Sequence, residues 1–343
     1  MLRFPLLIVG VGLVGLATTA PGRAQEKDKF QPVSFVTFDR VELRGVFYPG
    51  MKGVNSPTVM LLHKYGSDRT KGNFGALASH LHEKGYAVLA FDFRGHGAST
   101  TVDSLFWEYP VNKKYIRKPD PNRRTVSFKD FQNAYFPYLL HDIAAARNYL
   151  DKRNDERACN TSNLVVIGAE EGAALGFAWI AIEHLRDAIA PGVAFNPNPR
   201  KAGEDISGAI WLSFKRSPLG MTFPYSKLVE DHAKIMRERI PMWFAAGADD
   251  SSGVSDAAYM HDTIMRANRS SSKVPSTKLP IKGTKLRGID LYGQAKLETD
   301  ALLDKYLEMY VKRRATAAWE NRKASEISPS ELPLNDLGFR LNP

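Results

Sequence analysis

The apolar run Leu164-Val165-Val166-Ile167 leads into Gly168-Ala169-Glu170-Glu171-Gly172 and then into a helix-forming stretch of small residues. A strand, a tight turn framed by glycines and a helix make the G-x-S-x-G elbow, whose middle residue is a hydroxyl nucleophile. Here the middle residue is Glu170, which has no proton to give up near neutral pH. Three more residues with chemistry to offer, His63, Arg94 and Asp250, also follow shortly after an apolar, strand-like run. In parallel sheets flanked by helices, reactive groups gather at the carboxyl ends of the strands.

The elements that must position them are legible in the periodicity. Residues 33–38 and 41–48 alternate like two antiparallel strands turning at Asp39-Arg40. The apolar runs at 58–62, 87–91 and 164–168 read as buried strands, with 208–213, 241–246 and 277–281 completing the set. Helices are expected at 74–84, 137–152, 171–184, 225–238, 253–267 and 290–314, the last ending on Lys312-Arg313-Arg314 at the negative end of its dipole. Two entry strands followed by strand–helix repeats mean a mostly parallel, eight-stranded α/β sheet wrapped by helices. Residues 101–135 break the rhythm, and the Pro-containing tail 315–343 is expected to pack loosely.

The first residues suggest a compartment. Arg3, the apolar segment Leu6 to Leu16 and Gly22-Arg23-Ala24 have the form of a signal peptide, 1–24, cleaved near Ala24. The apolar run is short and Gly-rich for a membrane span, though an uncleaved anchor is the alternative. The protein is therefore expected in the periplasm or outside the cell. Cys159 is the only cysteine, so no internal disulfide forms. It lies in a polar stretch with no flanking His and reads as a spectator thiol.

The formal net charge is +10. Much of the excess falls in the excursion, where Lys113, Lys114, Arg117, Lys118, Arg123 and Arg124 mix with Phe106, Trp107, Tyr109 and Tyr115. That mixture reads either as a solvated insertion face or as a binding surface for an anionic partner. In an exported protein the anion would be a glycan or a headgroup rather than nucleic acid. His80 and His82, two apart on a helix, point away from each other. Nothing has zinc or calcium ligand spacing, and Arg94-Gly95-His96-Gly97-Ala98-Ser99 lacks the helix entry of a nucleotide site. No cofactor is expected.

Five pieces in order, LLHKYGSD (61–68), FDFRGHGAST (91–100), VIGAEEGAALG (166–176), AAGADD (245–250) and KGTKLRGIDLYG (282–293), resemble the α/β-hydrolase superfamily, in its dienelactone hydrolase and serine-aminopeptidase-like branch. The resemblance covers about 31–312, within a domain expected over 31–314, and implies the α/β-hydrolase fold. It places Glu170 at the nucleophile position, Asp250 at the acid position and Arg287 at the catalytic histidine position. It puts the oxyanion hole on the N–H groups of Tyr65 and Glu171, with Lys64 where the family often has Gly. His63 and His96 belong to its loop patterns and take structural roles.

Two of the three triad positions thus carry the wrong chemistry. The mechanism needs a hydroxyl and an imidazole, and arginine stays charged and cannot act as a base. Losing both should cost about 10⁶-fold in turnover. The resulting expectation is an exported, catalytically inactive protein that binds a small molecule or an anionic polymer. The alternative is an active ester or peptide hydrolase with Glu170 as a carboxylate nucleophile, or with a displaced serine such as Ser99. Three further expectations follow. Glu170 should sit at positive φ, 101–135 should lie over the carboxyl edge of the sheet, and a Glu170–Arg287–Asp250 ion network should replace the relay.

Overall fold

The alternation that marks the strands also assigns their two faces. In the computed structural model, which describes residues 30–188, 200–267, 275–324 and 331–339, Val59 and Leu61 point to one side of the sheet and Met60 and Leu62 to the other. Such two-faced burial produces uninterrupted apolar runs in central parallel strands.

The strands are β1 (Gln31–Val36), β2 (Val41–Tyr48), β3 (Pro57–Leu62), β4 (Ala87–Phe91), β5 (Thr101–Val102), β6 (Asn160–Ala169), β7 (Ile206–Leu212), β8 (Met242–Ala245) and β9 (Thr277–Lys278). They form one nine-stranded sheet in the order β1-β2-β4-β3-β6-β7-β8-β9, with β5 paired to β2. β4, β3, β6, β7, β8 and β9 run parallel; β2 is antiparallel to β1, β4 and β5. The eight expected strands all form, and the two-residue β5 is the addition.

The helices are α1 (Phe74–Glu83), α2 (Pro110–Tyr115), α3 (Leu140–Asp155), α4 (Glu171–Glu183), α5 (Tyr225–Lys227), α6 (Met236–Arg239), α7 (Ser251–Ala258) and α8 (Thr299–Lys312). On one face α1 and α8 pack Leu77, Leu81, Leu303 and Leu307 against the sheet. On the other, α3 and α4 pack Leu140, Ile143, Phe177 and Ile180. Every residue of α4 from Gly172 to Glu183 is buried.

Three expected helices are shorter than their patterns. The 253–267 helix is α-helical only as α7 and continues as a π-helical turn over Tyr259–Ile264. The 225–238 helix breaks into α5, a π-helical turn at Leu228–His232 and α6, with Ala233 outside helical geometry. The break lets Leu228, Val229, Ala233 and Met236 all reach the core. The last helix starts at Thr299 rather than 290, because Gly288 and Gly293 take positive φ and the Asp300 carboxylate accepts the Gly293 N–H (2.9 Å).

One other reading is corrected. The tail is not loose: Leu332, Leu334, Leu337 and Phe339 join the core beside α3 and α4. Leu332 N donates to His141 Nε2 (2.9 Å), Trp319 Nε1 to Asn154 O (3.0 Å) and Arg322 Nη2 to Ser162 Oγ (2.6 Å). These four apolar residues give the tail something to bury. Cys159, just before β6, is fully buried, and burial pushes its thiol up to about 12, in keeping with a spectator thiol. The expected signal segment lies outside the described residues, among which no helix is long and apolar enough to cross a membrane.

Candidate functional site

Glu170 ends β6 and begins α4 at φ +50°, ψ −115°, a conformation that costs a side-chain-bearing residue energy and is characteristic of functional turns. The expected strain is there. Gly172 makes it possible, since a Cβ on it would stand 2.3 Å from His63 O and 2.7 Å from Leu62 O, so only glycine lets α4 start against the end of β3. Glu170 N donates to Leu212 O (3.0 Å), tying the elbow to the end of β7.

The side chain of Glu170 turns toward the loop after β3. Lys64 Nζ lies 3.2 Å from Glu170 Oε1, with the lysine 45% and the glutamate 13% exposed. From the other side the loop after β9 closes in: a Cβ on Gly288 would stand 2.9 Å from Glu170 Oε1, and Gly288 N donates to Ser213 Oγ (2.9 Å). Ser213 follows β7 at φ +56° and is fully buried.

Asp250 stands at the N-cap position of α7, without a side-chain capping bond. Arg287 Nε lies 2.9 Å from Asp250 Oδ2, with the arginine 32% and the aspartate 10% exposed. The N–H does not aim at the oxygen, and neither atom makes a directed hydrogen bond, so the attraction is Coulombic. Arg287 Nη2 donates instead to Ser252 Oγ (3.0 Å), whose hydroxyl donates to Asp250 Oδ1 (3.0 Å).

The expected three-membered network is therefore corrected to two separate pairs, Lys64–Glu170 and Arg287–Asp250. Among the described residues no ion pair joins Glu170 to Arg287. The backbone of Gly288, not the Arg287 guanidinium, faces the Glu170 carboxylate, and the guanidinium is drawn to the start of α7. Lys64 is the participant that sequence reasoning missed. The signal was a lysine at a position where the family has glycine, opposite an acid where it has serine.

The proposed oxyanion donors are both near the elbow. Neither Tyr65 N nor Glu171 N donates to a backbone carbonyl among the described residues. Burial holds the Glu171 carboxyl above its ordinary value, and the charge of Glu170 adds to that. The Tyr65 hydroxyl donates to Phe128 O (2.8 Å), and burial pushes its pKa up to about 12.

The histidines near the centre act as clasps. His63 Nε2 accepts the Phe93 N–H (3.0 Å), while His96 Nε2 accepts the Gly66 N–H (3.0 Å), so the loops after β3 and β4 hold each other reciprocally. Each Nδ1 faces a carbonyl, Lys64 O and Arg94 O respectively, which requires the neutral Nδ1–H tautomer. Burial pushes His63 down to about 4 and His96 to about 3. Ser99 is equally committed: its buried hydroxyl donates to Asp92 O (2.7 Å) and accepts from Arg44 N (2.8 Å).

Arg94 proves to be internal cement. Fully buried, it donates through Nε to Asp142 Oδ1 (2.7 Å), through Nη1 to Asp39 Oδ2 (2.7 Å) and through Nη2 to Asp39 Oδ1 (3.0 Å). Tyr135 and Asn112 complete the cluster, which binds the β1–β2 turn, the excursion and α3.

The excursion 101–135 does lie on the carboxyl side, where Phe128 stacks on His96 (centroids 4.5 Å, 12°) and meets Tyr65. None of its aromatics is fully exposed. Phe106, Trp107 and Phe131 are buried, Tyr109, Tyr115 and Phe128 are half-buried, and every cation of 113–129 but Arg123 is exposed. An uncharged cavity of about 580 Å³ opens nearby between Ala134, Pro137, Phe223 and Phe339.

No family model and no curated protein sequence matches the chain. Solved structures do. A protein of unknown function from Agrobacterium tumefaciens, described as a putative α/β hydrolase, is 14% identical, with 84% of this chain and 98% of that one covered at a TM-score of 0.51. A dienelactone hydrolase from Anabaena variabilis is 12% identical, with 85% and 100% covered at 0.50. Esterase B from Lactobacillus rhamnosis is 13% identical, with 84% and 89% covered at 0.50. At such identities the likeness is one of fold.

Proposed function

We propose that this chain, an α/β-hydrolase by fold, is an exported binding protein that does not hydrolyse esters or peptides. The observation that carries the reading is the pair of salt bridges at the centre. Lys64–Glu170 stands where a serine would be freed to attack, and Arg287–Asp250 where an acid would orient an imidazole. Catalysis needs a nucleophile that sheds a proton to a base of suitable pKa. Glu170 sheds none, and a guanidinium accepts none. The buried Ser99 and Ser213 hydroxyls are engaged with backbone partners, and the tautomers of His63 and His96 leave them no lone pair for a substrate. What remains is a rim of opposite charges suited to holding a small polar molecule. Export rests on the form of residues 1–24.

The test is hydrolysis of p-nitrophenyl acetate and labelling by a fluorophosphonate. The unmodified mature protein is expected to show neither above background. The triple change Lys64→Gly, Glu170→Ser, Arg287→His is expected to gain phosphonate labelling, because it returns a hydroxyl, an imidazole beside Asp250 and an open hole to a preformed elbow. Turnover by the unmodified protein that disappears in Glu170→Gln would overturn the reading in favour of a carboxylate nucleophile.

A further inference from the structure

Residues 113–129 contain seven lysines and arginines against a single acid, Asp120. The fold sorts this segment into two sides. Trp107, Ile116, Val126 and Phe131 are buried beneath it, and it is stitched down by the bridges Ile116–Phe131 and Thr101–Thr125 and by Arg117 N donating to Asp130 O (2.8 Å). Lys113, Arg117, Lys118, Arg124 and Lys129 are left exposed on the other side. Arg123 pairs with Asp130 (3.3 Å), but among the described residues none of those five cations has a carboxylate within 4.0 Å. Like charges crowded on a fixed loop repel one another, and a polyanion relieves that repulsion.

The excursion is also tied to the centre. Arg117 Nη1 donates to Lys129 O (3.0 Å), and Lys129 follows Phe128, whose carbonyl accepts the Tyr65 hydroxyl (2.8 Å). Lys64 precedes Tyr65, so Lys129 and Lys64 flank the two ends of one hydrogen bond. The excursion is therefore joined to the loop that carries Lys64, which is itself paired with Glu170.

The chemistry of the surface selects the polyanion. Nucleic-acid sites without base-edge readout stack bases on exposed aromatics; here Phe106, Trp107 and Phe131 are buried, while Tyr109, Tyr115 and Phe128 are only half-buried, Phe128 being stacked on His96 and Tyr115 lying under Lys114. A bilayer site adds apolar side chains that enter the acyl region, and none of the exposed large hydrophobics falls within 113–129. What is offered is fixed positive charge with no fully exposed aromatic and no exposed apolar anchor. We propose that the exposed face of 113–129 is a docking surface for a linear anionic polysaccharide whose carboxylate or sulfate groups bridge successive cations. One exposed ion pair contributes little. Several engaged by one chain act together.

The experiment measures binding of the full mature protein to heparin, to alginate and to neutral dextran of similar length. Binding to both polyanions and not to dextran is expected, weakening steeply as salt rises from about 50 to about 300 mM. The variant Lys113→Gln, Arg117→Gln, Lys118→Gln, Lys129→Gln should lose affinity by at least roughly tenfold while its thermal unfolding stays unchanged. A charge-matched variant elsewhere (Lys52→Gln, Lys71→Gln, Lys305→Gln, Lys323→Gln) should keep it. Equal losses in the two variants would mean net charge alone, and overturn the site. Tighter binding to poly-dT, or to vesicles containing phosphatidylglycerol, would overturn the polysaccharide. None of these readouts depends on whether the centre hydrolyses an ester.

Discussion

Lys64 Nζ stands 3.2 Å from Glu170 Oε1, so the acid at the elbow is neutralised by the loop after β3, while Asp250 is neutralised by Arg287 from the loop after β9. The two pairs are independent units. Double-mutant cycles on unfolding should therefore give coupling of about 0.5–1 kcal/mol at most for Lys64→Met with Glu170→Gln, since the lysine is well exposed. Arg287→Leu with Asp250→Asn should give a similar value, and Glu170→Gln with Arg287→Leu a smaller one. If that cross-cycle proved the largest, the two-pair arrangement would be wrong.

Acid should weaken the fold earlier than carboxylate titration alone would. His63, His96 and His141 are buried, neutral and accept backbone N–H groups, with pKa values pushed by burial to about 4, about 3 and about 4. The unfolded chain binds protons on these groups below its ordinary value of 6.5. Between there and about pH 4 the unfolded state holds more protons, so stability is complete above about 6.5 and falls as pH drops. Each histidine can contribute up to about 3 kcal/mol over that window. Urea unfolding at closely spaced pH values should show the decline, and His96→Gln should flatten it. A stability constant down to pH 4.5 would mean that these rings are protonated in the fold.

Severing the internal cement should be costly. Arg94→Leu leaves Asp39 and Asp142 buried together without their cation. The expected loss is about 3–5 kcal/mol, read as a fall in unfolding midpoint or as failure to accumulate folded protein. Replacing all three by apolar residues of similar volume should cost less than the single change. If the single change cost no more than an ordinary surface substitution, the cluster would not be holding the excursion to α3.

The sheet was readable because two-faced burial writes itself as apolar runs, and the elbow because Gly168 and Gly172 are required by close backbone approach. The participants at the centre were only half readable. Asp250 and Arg287 were found by their places in loop patterns, and they do pair. Which cation meets Glu170 depends on where the Gly288 backbone lies, and that is a fact of packing between loops far apart in the chain. Arg94 was noticed for following a strand, yet its role comes from Asp39, Asn112, Tyr135 and Asp142, spread over the chain with no shared periodicity. The tail reads as loose from its prolines, whereas what fixes it is the burial of Leu332, Leu334, Leu337 and Phe339, whose spacing follows no single period.

That tail supplies a further prediction. A chain ending at Ala318 loses Trp319, Arg322, Leu332, Leu334, Leu337 and Phe339, and uncovers His141 and Ser162. Burying each large apolar side chain contributes about 1.5–3 kcal/mol, so the truncated chain should lose several kcal/mol, seen as a lower midpoint in guanidinium unfolding. An unchanged midpoint would mean that the tail merely rests on the surface.

The backbone at position 170 gives the last prediction, because it can be tested apart from any chemistry. A residue at φ +50°, ψ −115° lies where side-chain-bearing residues are strained and glycine is at ease. Glu170→Ala and Glu170→Gly both remove the carboxylate and the pair with Lys64, so they differ only in the Cβ. In an ordinary helical or extended position the alanine variant is the more stable, by about 0.5–1 kcal/mol. Here the order should invert, with the glycine variant ahead by about 1 kcal/mol, since relief of strain of about 1–3 kcal/mol exceeds the extra entropy of the unfolded chain. Thermal or urea unfolding of the two variants side by side decides it. Alanine at or above glycine would mean that the elbow carries no strain.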